Sequence, residues 1–157
     1  MEGAIRCVGK PLQHRTLEVE VPSEPLPIYV DGVQIQQVMV NLLDNAVKYS
    51  EEGSCIRLRA AATMDQVEVR IENRGPGIGV SDLDKVFERF YRIQRENERV
   101  AGTGLGLAIC KGIIKAHGGH IWAKSTPGQT TIFVFTLPLT SPSMPSLGGQ
   151  QDQSEEA

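Results

Sequence analysis

Two asparagines in the segment QVMVNLLDNAVKYS, residues 37–50, are the first residues in this 157-residue chain that could do chemistry. Asn41 and Asn45 are four residues apart, so in a helix they share one face. Two amides that point the same way can supply neutral oxygen ligands to a magnesium ion that already carries phosphates. Lys48 and Tyr49 follow one turn later, and the ammonium group of Lys48 can lie against phosphate charge. The alternative interpretation is the solvated face of an ordinary helix.

A glycine-rich stretch, GTGLG at residues 102–106, is a second and independent signal. Glycines at a helix start let backbone N–H groups approach phosphate oxygens, and the helix dipole favours the anion. The stretch is not a Walker A loop, because no GxxxxGK[ST] occurs, and Ile109 stands where the dinucleotide-binding GxGxxG has its third glycine. A flexible turn before a helix is the alternative interpretation of this motif.

The elements that must position these residues follow from hydrophobic periodicity. Apolar residues at helical spacing predict a helix from Val33 to about Tyr49, with Asp31 as its N-cap. A second helix is predicted to begin at 102–106 and to end at a glycine cap at 117–119. Alternating patterns predict strands at 17–21, 55–62, 66–72, 120–125 and 131–139, with a hairpin joining 55–62 to 66–72. A short helix is predicted near 82–87, and the loop ENRGPGIG at 72–79 follows the hairpin.

Composition and charge exclude several classes of function. The formal charge of −3 and the pI near 5.6 provide no basic field for nucleic acid, and no apolar run approaches the roughly 18 residues that a membrane span needs. Cys7, Cys55 and Cys110 are odd in number and lack CxxC spacing, so neither a disulfide framework nor a zinc site is indicated. No signal peptide is visible. We therefore expect a cytoplasmic α/β protein with reduced thiols that neither binds nucleic acid nor inserts directly into a membrane.

Taken in order, the segments NLLDNAVKYS, ENRGPGIG, FERFYR and GTGLGLAICKGIIKAHGG resemble the N, G1, F and G2 boxes of the sensor histidine kinase catalytic domain, within the superfamily of gyrase-, Hsp90- and MutL-type ATPases. The resemblance covers roughly residues 15 to 139. The flanking YVDGVQIQQV and AHGGHIWAKSTPGQTTIFVFTLPL also look like the Kdp-type, potassium-responsive sensor kinases.

The resemblance implies a two-layer α/β sandwich, the Bergerat or GHKL fold, with a mixed sheet covered on one face by about three helices and a mobile lid over ATP. It implies that Asn45 binds Mg²⁺ and that Asn41, Asn45 and Lys48 carry the catalysis. Phe87 and Phe90 match the residues that anchor the lid. The other positions that the resemblance assigns to the nucleotide are Tyr49, Asn73, Gly75, Gly77, Ile78, Arg92, Gly102, Thr103, Gly104, Leu105, Gly106 and Thr131.

Two amides in this chain bear on the reaction that the resemblance implies. Hydrolysing relatives carry a glutamate at the position of Asn41, and an amide cannot take a proton from water, so hydrolysis should be slow. At position 73 the family has an aspartate that accepts from the adenine amino group. Asn73 keeps an acceptor oxygen but loses the charge, which weakens that hydrogen bond by around one kcal/mol. The amide NH₂ could instead donate to O6 of guanine, which would relax the base selectivity.

A histidine kinase needs a phosphoacceptor, and His14, His117 and His120 all lack the family's sequence context for one. We therefore expect transfer of the ATP γ-phosphate to a histidine on a dimerisation domain absent from this chain, with a response regulator downstream. Residues 1–14 are expected to be a leader, 15–139 the catalytic domain and 140–157 a disordered tail. The lid is placed at 88–101, poorly ordered without nucleotide. Two alternatives stay open, namely a non-catalytic nucleotide-binding or interaction module with impaired ATP affinity and a gyrase-like or Hsp90-like ATPase.

Overall fold

The computed structural model describes residues 15–94 and 102–139, and every element named below lies in these two ranges. The elements follow in the order β1 (Thr16–Glu20), α1 (Gly32–Lys48), β2 (Cys55–Ala62), β3 (Gln66–Arg74), α2 (Gly106–Ala116), β4 (His120–Thr126) and β5 (Thr130–Pro138). Two short 3₁₀ turns, Val80–Asp82 and Lys85–Phe87, lie between β3 and α2. The predicted leader, the predicted tail and positions 95–101 of the predicted lid fall outside the described residues.

The strands form one mixed sheet in the order β1-β2-β3-β5-β4. β1 runs parallel to β2, and the other neighbours are antiparallel. β2 and β3 form the predicted hairpin, since their apolar residues share one face and their charged residues the other. On the charged face, Arg57 lies 3.0 Å from Glu18 and Arg59 lies 2.9 Å from Glu20. These ion pairs join β1 to β2 on the solvent side, so the core lies on the opposite face.

Helices α1 and α2 pack together on the apolar face of the sheet, and this arrangement confirms the two-layer α/β sandwich. The 3₁₀ turns add a third covering segment, which also packs against α2. Burial of each large side chain in such a core stabilises the fold by roughly 1.5–3 kcal/mol. Within residues 15–94 and 102–139, no helix is both long and apolar enough to cross a membrane. The buried face of α1 consists of Val38, Met39, Leu42, Leu43 and Ala46.

The start of α1 and the end of α2 are capped as predicted and joined to each other. The Asp31 carboxylate accepts from the backbone N–H groups of Val33 and Gln34 at 2.9 and 3.1 Å, which satisfies two of the free donors at the start of α1. His117 is the C-cap residue of α2, and Gly118 follows with φ 74°. The Nε2 of His117 accepts from the backbone N–H of Asp31 at 3.1 Å. One imidazole therefore connects the ends of the two helices.

The prediction of one short helix near 82–87 is wrong. The segment forms two separate 3₁₀ turns, closed by hydrogen bonds from Asp82 N to the Gly79 carbonyl at 2.9 Å and from Glu88 N to the Lys85 carbonyl at 2.8 Å. Burial of adjacent side chains in the core decides this local geometry, since Val86 and Phe87 are both buried there.

Phe90, which the resemblance assigns to anchoring the lid, is largely exposed. Its side chain is 71% exposed and its backbone has φ 63°, a left-handed conformation that non-glycine residues rarely adopt. Its contact with the second glycine motif is made by the backbone, because Phe90 N donates to the carbonyl of Gly104 at 2.9 Å.

Candidate functional site

A cavity of about 350 Å³ lies between α1, the ends of β3 and β5, the residues after the 3₁₀ turns and the start of α2. This volume is within the range of small-molecule sites. Five segments of the sequence meet there, and with them come most of the predicted nucleotide-binding residues. Those that line the cavity are Asn41, Asn45, Lys48, Tyr49, Asn73, Gly77, Ile78, Arg92, Gly102, Thr103, Gly104, Gly106 and Thr131.

Four predicted residues lie outside the lining of this cavity, namely Gly75, Leu105, Phe87 and Phe90. Phe87 is buried, and its ring packs edge-on against Phe133 at a centroid distance of 6.2 Å. Leu105 is the N-cap residue of α2, where its carbonyl accepts from Ile109 N. Phe87 therefore supports the cavity wall from the core, and Leu105 acts through its backbone.

Helix α1 supplies the polar wall of the cavity, as the spacing of its amides predicts. Asn45 is half-buried, and its side chain makes no hydrogen bond with the described residues. The Asn41 NH₂ donates to the carbonyl of Gly106 at 3.3 Å, which fastens α1 to the first turn of α2. Lys48 Nζ lies 2.7 Å from a carboxylate oxygen of Asp44, one turn away on the same helix. The cavity therefore has one uncommitted amide and one ammonium group held by a neighbouring acid.

The cavity has two chemically different ends along α1. Asn41 and the glycines of 102–106 meet at one end, and Tyr49 and Asn73 meet at the other. The eight residue steps from Asn41 to Tyr49 correspond to about 12 Å of helix. In the lining, Lys48 and Arg92 are cationic and Asp44 is acidic. The arrangement can hold an elongated molecule with a polar ring at one end and negative charge toward the other.

Asn73 lies at the end of the cavity beside Tyr49, which is called the ring-binding end below. The side-chain NH₂ of Asn73 is a hydrogen-bond donor to the protein itself. Asn73 is only 2% exposed, and its NH₂ donates to the carbonyls of Tyr49 at 3.3 Å and Arg74 at 3.5 Å. Both partners are backbone carbonyl oxygens, which can only accept, so the nitrogen must face them. Its Oδ1 has no hydrogen-bond partner among the described residues, and no fully buried side-chain polar atom there lacks one. The acceptor oxygen of Asn73 is therefore open to the cavity.

The loop after Asn73 follows a path that only glycine permits. A Cβ on Gly75 would lie 2.0 Å from the Tyr49 carbonyl oxygen. Gly77 has φ 75°, and a Cβ there would lie 2.8 Å from Cα of Pro127 in the β4–β5 turn. That turn also holds the loop by hydrogen bonds from Gly75 N to the Gln129 carbonyl at 3.1 Å and from Gly128 N to the Pro76 carbonyl at 2.8 Å. The β4–β5 turn thus fixes the position of the glycine loop.

Two titratable groups near the cavity have shifted pKa values. Burial raises the pKa of the Cys110 thiol to about 12, although a hydrogen bond from Asn41 acts in the opposite direction. The Tyr91 hydroxyl donates to the Asp82 carboxylate at 2.5 Å, and this hydrogen bond raises the pKa of Tyr91. Neither group is activated as a nucleophile, because a raised pKa keeps both protonated at neutral pH.

Sequence reasoning missed several residues of the cavity wall. Asp44 carried a usable signal, because it lies between the two asparagines and four residues before Lys48. Phe133 carried another, since it lies two residues after Thr131 on the same face of β5. The remaining lining residues come together only in the folded chain, and no local sequence pattern indicates that they do. They are Pro76, Val86, Tyr91, Ile93 and Leu107.

Comparison with known proteins agrees with this fold and cavity. The sequence profile of the family described as histidine kinase-, DNA gyrase B- and HSP90-like ATPase matches residues 30–141. The chain belongs to this family. The match spans α1, the glycine loop, α2 and β5, and it includes every residue that lines the cavity.

Named relatives are sensor kinases. The chain is 42% identical over 138 residues to the adaptive-response sensory kinase SasA of Gloeothece citriformis, covering 86% of this chain and 35% of that protein. It is 40% identical over 129 residues to the sensor histidine kinase WalK of Bacillus subtilis, covering 80% of this chain and 21% of that protein. The chain thus spans about a third or less of these relatives. The resemblance to Kdp-type kinases stays a prediction.

Solved structures have the same architecture. The catalytic domain of histidine kinase ThkA superposes with a TM-score of 0.76 at 28% identity, covering 87% of this chain and 90% of that one. The mycobacterial sensor histidine kinase MprB gives a TM-score of 0.76 at 29% identity with the same coverage. These comparisons confirm the expected mixed-sheet fold of a histidine kinase catalytic domain.

Proposed function

We propose that this chain binds ATP with Mg²⁺ in the cavity and transfers the γ-phosphoryl group to a histidine on a separate dimerisation domain. The supporting observation is the cavity itself, which unites the amide face of α1, the glycine loop at 75–78 and the glycine-rich start of α2. A response regulator is the expected next acceptor, and the cytoplasm the expected location.

The middle of the cavity and its α2 end fit a magnesium–phosphate group. Asn45 is half-buried in the lining with an uncommitted amide oxygen, a neutral ligand of the kind that Mg²⁺ accepts when phosphates supply the remaining charge. When bound, Mg²⁺ neutralises charge on the phosphate oxygens. Lys48 supplies a further positive charge once it leaves Asp44, and the backbone N–H groups that begin α2 favour an anion.

The amide at position 41 favours transfer over hydrolysis. A carboxylate there could take a proton from water, but the Asn41 NH₂ donates to Gly106 and its amide oxygen is not a base. A histidine acceptor brings its own nucleophilic ring nitrogen. That nitrogen forms the new bond to the γ-phosphorus, the bond to the bridging oxygen breaks, and ADP leaves with the electron pair. The domain needs only to hold the reactants in line.

Calorimetric titration with ATP in Mg²⁺ tests the binding step. We expect Asn45→Ala to weaken binding at least tenfold in Mg²⁺ and to change it much less in EDTA. Gln37→Ala removes an exposed amide from the same helix and is the matched control. Failure of the native chain to bind ATP would refute the proposal and favour a non-catalytic interaction module.

A chimaera tests the transfer step. Residues 15–139 replace the matching region of WalK, and we expect acid-labile, base-stable labelling from γ-labelled ATP that Asn45→Ala abolishes. Release of phosphate by the isolated chain at several turnovers per minute, without an acceptor, would contradict the role assigned to Asn41 and indicate a gyrase-like ATPase instead.

A further inference from the structure

Three polar side chains form a row across the sheet at the ring-binding end of the cavity. Asn73 on β3 pairs directly with Thr131 on β5, and Thr131 pairs directly with Ser125 on β4. Asn73 and Thr131 are 2% and 6% exposed and line the cavity, whereas Ser125 stands behind Thr131 outside the lining. All three side chains point to the core-facing side, and a hydrogen bond links Ser125 to Thr131.

Ser125 has one hydroxyl hydrogen, and its neighbours determine where that hydrogen goes. Its Oγ lies 2.6 Å from the carbonyl oxygen of Thr130, which can only accept, so Ser125 donates there. The backbone N–H of Ile78 donates to the same Oγ at 2.8 Å. The Thr131 hydroxyl lies 3.3 Å from it. Since the Ser125 hydrogen is already committed, Thr131 must be the donor in that contact.

The result is a cavity end that offers acceptors and no side-chain donors from this row. The Thr131 hydrogen goes to Ser125, so only the oxygen lone pairs of Thr131 remain for a ligand. The Asn73 hydrogens go to the Tyr49 and Arg74 carbonyls, so only Oδ1 remains. A base with an exocyclic amino group can donate to these oxygens. A base with a carbonyl at that position places its own acceptor oxygen against them, and no hydrogen bond forms.

We propose that Ser125 is a specificity-determining residue, which orients the Thr131 hydroxyl so that the site accepts a 6-amino purine and rejects a 6-oxo purine. This inference rests on the proposed ATP-binding function. It also argues against donation from the Asn73 NH₂ to guanine O6, because both amide hydrogens are committed. Ser125 acts through Thr131 and makes no contact with the base itself.

Ser125 has a second effect that the experiment must separate from the first. Its contact with Ile78 N helps to hold the glycine loop, so removal of the hydroxyl should weaken binding of every nucleotide. A loosened loop lowers the affinity for ATP and for its 6-oxo analogue ITP alike. A change in donor direction at Thr131 changes the ratio of the two affinities. The ratio is therefore the diagnostic measurement.

Dissociation constants of ATP and ITP for the chain, measured by calorimetry in Mg²⁺, test the proposal. A neutral hydrogen bond exchanged for an acceptor–acceptor contact predicts an ATP preference of about tenfold in the native chain. In Ser125→Ala the Thr131 hydroxyl is free to rotate and donate, so we expect the ratio to fall to about threefold or less. Ser125→Thr keeps a hydroxyl and should keep the native ratio. Ser54→Ala removes a surface hydroxyl that donates to the Glu51 carbonyl and is the matched control.

Thr131→Val provides a second route to the same answer, because it leaves the contacts of Ser125 with Ile78 and Thr130 in place. The ratio should fall in this variant too, and adding Ser125→Ala should not lower it further. An unchanged ratio in Thr131→Val, or in a folded Ser125→Ala, overturns the inference and leaves ATP binding intact. If the native chain binds neither nucleotide, the proposed function itself fails.

Discussion

Replacement of Asn73 by aspartate should make the protein less stable while strengthening its contact with the base. The substitution exchanges an NH₂ group for an oxygen at a site that is 2% exposed. That oxygen would face the carbonyl oxygens of Tyr49 and Arg74, which lie 3.3 and 3.5 Å from the present nitrogen. Two hydrogen bonds are lost, and a negative charge is placed against two negative dipoles.

The magnitude follows from these contacts. Each neutral hydrogen bond is worth about 0.5–1.5 kcal/mol net, so the free energy of unfolding should fall by about 1–3 kcal/mol at neutral pH. For a domain of this size, that fall corresponds to a decrease in Tm of roughly 3–12 °C. The remaining carboxylate oxygen can accept from the base amino group as a charged acceptor, which is stronger than a neutral one by around one kcal/mol. ATP affinity should therefore rise several-fold although stability falls.

The destabilisation should depend on pH. Burial and the two carbonyls disfavour the anion, so the pKa of the new carboxyl in the folded state lies above its unfolded value of about 3.9. The protonated acid can donate to the Tyr49 carbonyl in place of the amide. A raised folded-state pKa means that the native state binds more protons, so stability relative to the native sequence is best retained below about pH 4. It is lost as pH rises through the folded-state pKa.

Urea unfolding followed by circular dichroism at pH 5 and pH 7.5 measures this effect. Gln37→Glu makes the same amide-to-acid change on an exposed position of α1 and should have little effect at either pH. If Asn73→Asp were as stable as the native chain at pH 7.5, the assigned role of the Tyr49 carbonyl as an orienting acceptor would be incorrect.

Three further predictions concern the loop, the ammonium group and the buried thiol. Gly77→Ala should weaken ATP binding at least tenfold and lower the free energy of unfolding by more than about 1 kcal/mol, because its backbone has φ 75° and its Cβ would meet the β4–β5 turn at 2.8 Å. Gly53→Ala has nearly the same φ of 73° with no atom within 4 Å, so the difference between the variants in urea unfolding isolates the close contact. Asp44→Asn should release Lys48 and tighten ATP binding a few-fold at low salt but less at 1 M salt, as calorimetry would detect. If the substitution changed the ATP affinity by the same factor at both salt concentrations, the result would argue against the pairing. The Cys110 thiol has its pKa raised to about 12 by burial, so mass spectrometry at pH 8 should find it unmodified by iodoacetamide in the native state and modified in urea; rapid native-state labelling would contradict the burial.

Much of the fold was readable from local patterns, because those patterns report which face of an element is buried. The apolar spacing after Asp31 predicted α1 almost to its observed end at Lys48, and alternation predicted the β2–β3 hairpin. The short helix at 82–87 was predicted incorrectly, and the exposure of Phe90 was not foreseen. In both places tertiary contacts decide the local structure. Val86 and Phe87 are buried in the core together, and the backbone of Phe90 bonds to the carbonyl of Gly104.

The sequence by itself determined which chemical groups are available to the site. Helical periodicity puts Asn41, Asn45 and Lys48 on one side of α1, and no partner is needed to establish that. Only the tertiary structure decided how those groups are used, because a hydrogen's direction depends on the acceptor placed opposite it. The Tyr49 carbonyl orients the Asn73 amide so that its oxygen faces the cavity. The Thr130 carbonyl takes the Ser125 hydrogen, so the Thr131 hydroxyl donates to Ser125 and leaves its lone pairs toward the cavity. These partners come from different strands and helices, so the polarity of the site is a property of the folded chain.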